Sequence, residues 1–202
     1  MHKAIAVIQF KVEGQIIKRH PGYKMDDRIL LEAVDYSRGV VTIEGTEYPM
    51  LDTMFPTIDP KHPLRLTKEE DELLHTLITS FRHSGLLHKH IRFLYTNGAL
   101  YQCHNGNLLY HGCIPMRPDG SFEGMICNGE ELTGLMDYIG EQIHKAYFLS
   151  EDDPEKNGAR DFMWYLWCGA KSHVFGKDKM TTFEHYFVAD KATHRERLNP
   201  YY

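Results

Sequence analysis

The residues best suited to chemistry lie in one segment, NLLYHGCIP, running from Asn107 to Pro115. Leu108, Leu109 and Tyr110 form a near-continuous apolar run, the pattern of a strand buried on both faces of a layered α/β sheet. His111 follows where that strand runs out, and Gly112 adds no side chain beside it. In open α/β sheets, sites gather just beyond the carboxyl ends of strands. A neutral imidazole placed there can ligate a metal, and a glycine lets an ion or a phosphate approach the backbone closely. The alternative is a core histidine hydrogen-bonded to a neighbour, followed by a turn.

Other chemistries can be compared with the same sequence. A thiol phosphatase needs Cys-x5-Arg, and the residues six positions after Cys103, Cys113, Cys127 and Cys168 are Leu109, Asp119, Thr133 and Val174. A zinc set of Cys103, His104, His111 and Cys113 lacks the close paired spacings of structural zinc, and Cys103 and His104 point to opposite faces of a strand. No His-Glu-x-x-His occurs, which excludes a zincin. A second candidate is VFGKDKMTTFEHYF. There Lys177 and Lys179 precede a helix start near Thr181 and Thr182, an arrangement that suits an anion such as a substrate phosphate. The alternative for this segment is a solvated cap with surface lysines.

These residues must be held by elements that the pattern also predicts. Ile5, Ile8, Val12 and Ile16 recur at helical spacing from Ala4 to about Lys18, and His20-Pro21-Gly22 stops that helix. A short helix over Asp27–Val34 follows, then two strands around Glu44-Gly45 within Val40–Leu51. A proline-rich connection carries Pro56, Pro60 and Pro63. Thr67-Lys68-Glu69-Glu70 is a capping box opening a helix with a stripe of Leu73, Leu74, Leu77, Ile78 and Phe81. Ile91–Tyr95 reads as a strand turning at Asn97-Gly98, with Ala99–Cys103 returning and Asn107–Gly112 as a third strand. Helices are expected over about Leu132–Leu149 and Arg160–Cys168, the second apolar all round and so buried on every side. The resulting division is 1–66, a helical segment with a hairpin, and 67–202, a helix and sheet portion.

Composition limits the classes of function. The 202 residues are 42% hydrophobic, enough for a core, with a formal net charge of −5 and no basic run, so nucleic acid is not the expected partner. The longest apolar run, Phe162–Ala170, is far short of the ~20 residues of a membrane helix. Lys11 and Glu13 stand where a signal peptide would have its cleavage site. Four cysteines without a CxxC pair read as reduced thiols, and the expected location is the cytoplasm. Thirteen histidines raise the question of a metal cluster.

Beyond these readings, MHKAIAVIQFKVEGQIIKR, YPMLDTMFPTIDP, IRFLY, NGNLLYHGCIP, MWYLWCGA, FGKDKMTTFEHYF and ADKATHRERLNPYY resemble, in order, the class III fructose-1,6-bisphosphatases of bacteria. The resemblance runs from Met1 to Tyr202. It implies the calcineurin-like metallophosphoesterase superfamily and a layered α-β-β-α sandwich. It also implies hydrolysis of the 1-phosphate of fructose 1,6-bisphosphate in gluconeogenesis, with manganese as the usual ion, binuclear in the whole enzyme. The implied partner is a small sugar bisphosphate, without nucleic acid or membrane, and a homo-oligomer is compatible with the family. Of the superfamily's ligand motifs, the resemblance places in this chain only the His-Gly block, His111-Gly112, with His111 as a metal ligand. Asp-x-His, Gly-Asp-x-x-Asp and Gly-Asn-His are absent. The chain therefore reads as the middle of a longer enzyme, inactive by itself. The second hypothesis is a non-catalytic binding or regulatory module that kept part of the fold.

Overall fold

The computed structural model describes residues 2–127, 130–132 and 136–198, with the backbone alone at 125–127 and 130–132. It is a mixed α/β chain with small antiparallel sheets and two compact units. The first holds the residues up to His83 together with Thr181–Arg195, and the second holds Ser84–Met180 and the residues from Glu196 on. The expected boundary at 66/67 falls inside the first unit.

In the first unit, α1 (His2–Arg19) buries Val7, Ile8, Ile16 and Ile17. The predicted helix over Asp27–Val34 is instead two 3-10 turns, Asp26–Arg28 and Leu30–Glu32, leading into β1 (Val34–Asp35). The segment is too short to nucleate an α-helix, and burial of Leu30 and Leu31 fixes it as turns. β2 (Val40–Ile43) and β3 (Thr46–Pro49) form the expected hairpin, with Val41 opposite Tyr48. Its turn residues Glu44 and Gly45 both have positive φ, 50° and 81°, the requirement of a tight two-residue hairpin turn. α2 (Lys68–Arg82) starts at the capping box as predicted, with Thr67 Oγ1 accepting from the Glu70 amide and Glu70 accepting from the Thr67 amide. Its stripe is not buried: Leu73, Leu77, Ile78 and Phe81 are exposed.

α6 (Thr182–Phe187) closes this unit by placing Phe183 and Phe187, four residues apart, beside Phe10 at centroid distances of 5.4 and 6.4 Å. Val7, Leu31, Val41, Ile43 and Val188 complete the core. Two ion pairs are sealed with it. Fully buried Lys11 reaches Glu70 Oε2 and the Thr57 carbonyl at 2.7 Å each, and Arg28 holds the fully buried Glu184 at 2.8 Å.

In the second unit, Ile91–Tyr95 is not the expected strand but part of α3 (Gly85–Asn97), capped by Ser84. Leu87, Ile91 and Tyr95 sit four apart on one half-buried face, and that helical period overrides the strand propensity of IRFLY. Asn97-Gly98 therefore ends a helix instead of turning a hairpin. The hairpin comes next: β4 (Tyr101–His104) pairs with β5 (Asn107–Tyr110) across Asn105 and Gly106, at φ 51° and 77°. β5 is exposed on both faces, against the expected double burial. Among the described residues β4 is its one paired strand, and no further sheet layer there covers the ribbon's apolar residues.

β6 (Met125–Cys127) and β7 (Glu130–Leu132) form another antiparallel pair, and the side chain of Cys127 lies outside the described residues. α4 (Met136–Phe148) packs on α5 (Pro154–Cys168), with Tyr138 edge-on to Phe162 at 5.7 Å and Ile139 and Ala159 buried. The predicted start near Leu132 falls in β7, and 133–135 are not described. α5 starts six residues earlier than expected, with Asp153 as its cap and Pro154 in its first turn. Nor is it buried all round, because Trp167 is 68% exposed while Phe162, Tyr165 and Leu166 face the core. Among the described residues, no helix is long and apolar enough to cross a membrane.

Candidate functional site around His111

His111 stands immediately after β5, as the sequence predicts, and it is exposed. Its amide makes a long 3.4 Å bond to the Leu100 carbonyl. Among the described residues its imidazole has no hydrogen-bond partner, so the core-histidine alternative does not describe it.

The next two residues are held tightly. Gly112 has φ +87°, and a Cβ there would overlap the His173 carbonyl oxygen and lie 2.7 Å from Val174 Cα. Both the conformation and the space demand glycine. The Cys113 amide donates to the His173 carbonyl at 2.8 Å, and its thiol donates to the Ser172 carbonyl at 3.3 Å. The loop after α5 therefore folds over the backbone that follows His111, across a separation of about sixty residues that no local motif announces.

That loop is itself fastened. Fully buried Ser172 donates from Oγ to the Leu166 carbonyl at 2.6 Å and accepts from the Val174 amide at 3.2 Å. Leu166 lies in the last turn of α5, where carbonyls lack helical partners. His173 is 5% exposed, and its Nδ1 has no partner among the described residues. Burial pushes its pKa down, which keeps the ring neutral. Burial pushes the Cys113 thiol up, with a Gly176 backbone hydrogen bond acting the other way, so this sulfur is a packed thiol and no nucleophile.

Cys103, Cys113 and Cys168 are free thiols, Cys103 exposed and the others buried. Cys103, His104, His111 and Cys113 do not converge, and among the described residues no three His, Cys, Asp or Glu side chains are placed to hold a metal. The donor set for a metal centre is thus incomplete among the described residues, which offer one free imidazole at the expected place.

The second candidate segment is divided between the units. Lys177 pairs with Glu196 at 2.6 Å, and a bridge to Leu198 lays residues 177 and 178 beside 197 and 198. Lys179 is half-buried in the same unit. Thr181 belongs to the other unit and is fully buried, with its hydroxyl bonded to the His194 carbonyl at 3.2 Å. It caps no amide of α6 and faces the protein interior, so it is not an open substrate contact. Sequence reasoning missed Ser172 and His173; their role shows only when the loop meets Gly112.

Comparison with known proteins adds the following. The whole chain, residues 1–202, matches the model of a family described as Firmicute fructose-1,6-bisphosphatase. It is 53% identical over 205 residues to the fructose-1,6-bisphosphatase class 3 of Clostridium tetani (strain Massachusetts / E88). It is 49% identical over 204 residues to those of Clostridium novyi (strain NT) and Listeria innocua serovar 6a. All of this chain is covered in each case, and the chain spans 31% of the length of these relatives. No solved structure matches.

Proposed function

The chain belongs to the Firmicute fructose-1,6-bisphosphatase family, and on that premise we propose that it is one section of a phosphatase that removes a phosphate from fructose 1,6-bisphosphate in sugar metabolism, in the cytoplasm. The substrate is a small sugar bisphosphate. The cofactor is a divalent ion, Mn2+, held as a pair, and when bound it would polarise the phosphoryl oxygens and supply a hydroxide at neutral pH.

The observation that carries this reading is the free imidazole of His111 at the end of β5, on a backbone that Gly112 and the 172–174 loop hold in one shape. A metal-donor position requires a ring nitrogen free to coordinate, and the exposed ring of His111 at a strand end supplies one. One donor does not fit a metal pair, and no described cluster supplies the rest, so the remaining ligands come from phosphatase chain outside these residues. The exposed faces of β5 support the same reading. Leu108 and Leu109, 48% and 55% exposed, suit a hairpin that enters a larger layered sheet, as in a metallophosphoesterase sandwich. Lys177 and Lys179 are the proposed contacts to a substrate phosphate.

The test joins this chain, at both ends, to the flanking segments of the Clostridium tetani relative. The joined protein is expected to release phosphate from fructose 1,6-bisphosphate with Mn2+, and His111→Ala to abolish that release. Full activity of the His111→Ala protein would refute the assignment.

A further inference from the structure

α2 is fastened at its first turn. Its residues are all described, and of them Glu70 alone is buried, held by Lys11 and the Thr67 amide. The turns that follow carry Leu73, Leu77, Ile78 and Phe81, which are 43%, 40%, 47% and 64% exposed. Four large apolar side chains left open along one helix mark an interaction face. The flank beside them is charged at both ends. Asp71, Ile78 and Arg82 are spaced by two and then one helical turns, so they share one side of α2. Next to Asp71 lies a depression of about 460 Å³ whose apolar lining is Leu74 and Ile78.

This pattern is complementary to itself. When a second α2 is laid on the face antiparallel, about a two-fold axis, each flank meets the same flank running the other way. Asp71 of one copy then stands opposite Arg82 of the other, and the reverse pair forms at the far end. The same alignment brings Phe81, the most exposed of the row, opposite the turn that carries Leu74, where the depression can receive its ring. A parallel alignment would set Asp71 against Asp71 and Arg82 against Arg82, which repel. We propose that the exposed face of α2 is a self-association surface whose partner is a second copy of this chain, docked as an antiparallel helix pair. The interface is small, so its dissociation constant is of order micromolar, and the end charges fix orientation more than strength. The pairing needs neither a metal nor the phosphatase reading.

The test is sedimentation of the 202-residue chain from about 1 to 300 µM, with circular dichroism to confirm that each variant keeps its helices. The native chain is expected to dimerise, and Leu77→Glu to weaken the dimer at least about 10-fold. Asp71→Arg and Arg82→Glu each set like charges opposite one another and should weaken it several-fold. An equimolar mixture of those two variants carries opposite charges at both ends and should regain native association. Recovery in the mixture cannot come from another face of the chain. A monomer throughout the range, a dimer indifferent to Leu77→Glu, or a mixture no stronger than its components overturns the proposal. So does a protein joined to the Clostridium tetani flanking segments that stays monomeric while its α2 amides gain hydrogen-exchange protection over the 202-residue chain. The occupant of the face is then the rest of the phosphatase.

Discussion

Replacing Gly112 with alanine separates two costs that the structure places at one residue. The first is conformational: φ is +87°, and a side chain in that region costs about 1–2 kcal/mol. The second is steric, because the new Cβ would overlap the His173 carbonyl oxygen and stand 2.7 Å from Val174 Cα. Both obstacles are backbone, so the loop must withdraw, and it cannot do so without stretching the 2.8 Å bond from the Cys113 amide and the 3.3 Å bond from its thiol. Losing such bonds in a buried place adds about 1–3 kcal/mol. The expected total is about 2–5 kcal/mol. Gly106 is the control: it has φ +77° in the same unit, and an added Cβ would meet nothing within 4 Å, so Gly106→Ala carries the conformational cost alone. Urea unfolding of both variants, followed by circular dichroism, measures the difference. Gly112→Ala costing no more than Gly106→Ala would refute the claim that the 172–174 loop dictates glycine after His111.

Three further outcomes follow from other parts of the molecule. Lys11→Met leaves the buried Glu70 carboxylate without its ammonium and is expected to destabilise the chain by about 3–5 kcal/mol in urea unfolding at pH 7. Burial would raise the pKa of Glu70, but the hydrogen bonds from Lys11, Thr57 and Thr67 outweigh it and hold the carboxyl below its ordinary 4.5. Its contribution is therefore present above pH 4.5 and lost as pH falls through the lower folded value, so the gap between Lys11→Met and the native chain should narrow in acid; a constant gap down to strongly acid pH would sink this reading. Thr67→Ala removes one half of the capping box and should cost about 0.5–2 kcal/mol, seen as loss of protection at the Glu70 amide. The isolated 202-residue chain should show no Mn2+-dependent phosphate release from fructose 1,6-bisphosphate, and measurable turnover by the purified chain would contradict the incomplete donor set.

The parts of the fold that sequence reading reached are those with short-range causes. The capping box at Thr67, the positive-φ turn at Glu44-Gly45 and the turn at Asn105-Gly106 are each fixed within four residues, and each stands where the sequence puts it. The failures have a different character. IRFLY has strand-forming residues and a hairpin dipeptide after it, but Ser84 starts a helix that runs through them, and Asn97-Gly98 serves that helix as a terminus. β5 shows the opposite error. Its apolar run predicts the layers that should cover it, whereas burial depends on which other strands are present, and among the described residues β4 is its one partner.

The candidate site divides along the same line. His111 was legible because its type and its place after a strand are local facts, whereas the glycine requirement at 112 comes from a carbonyl sixty-one residues along the chain. Histidine count was a poor guide for a related reason. His83 Nδ1 bonds the Thr79 carbonyl, His88 meets Tyr147, and His185 and His194 stack at 4.2 Å while bonding the carbonyls of Thr181 and Val188. Each of these rings has a nitrogen committed to a neighbour. A nitrogen donating its proton to a carbonyl has no lone pair for a metal, and the second nitrogen then points wherever that bond directs it. Among the residues singled out for chemistry, His111 combines an exposed ring that has no partner among the described residues with a following backbone that the φ of +87° at Gly112 and the His173 carbonyl hold in one shape. No second set of donors stands at that strand end among the described residues, and the chain spans 31% of the length of the Clostridium tetani relative.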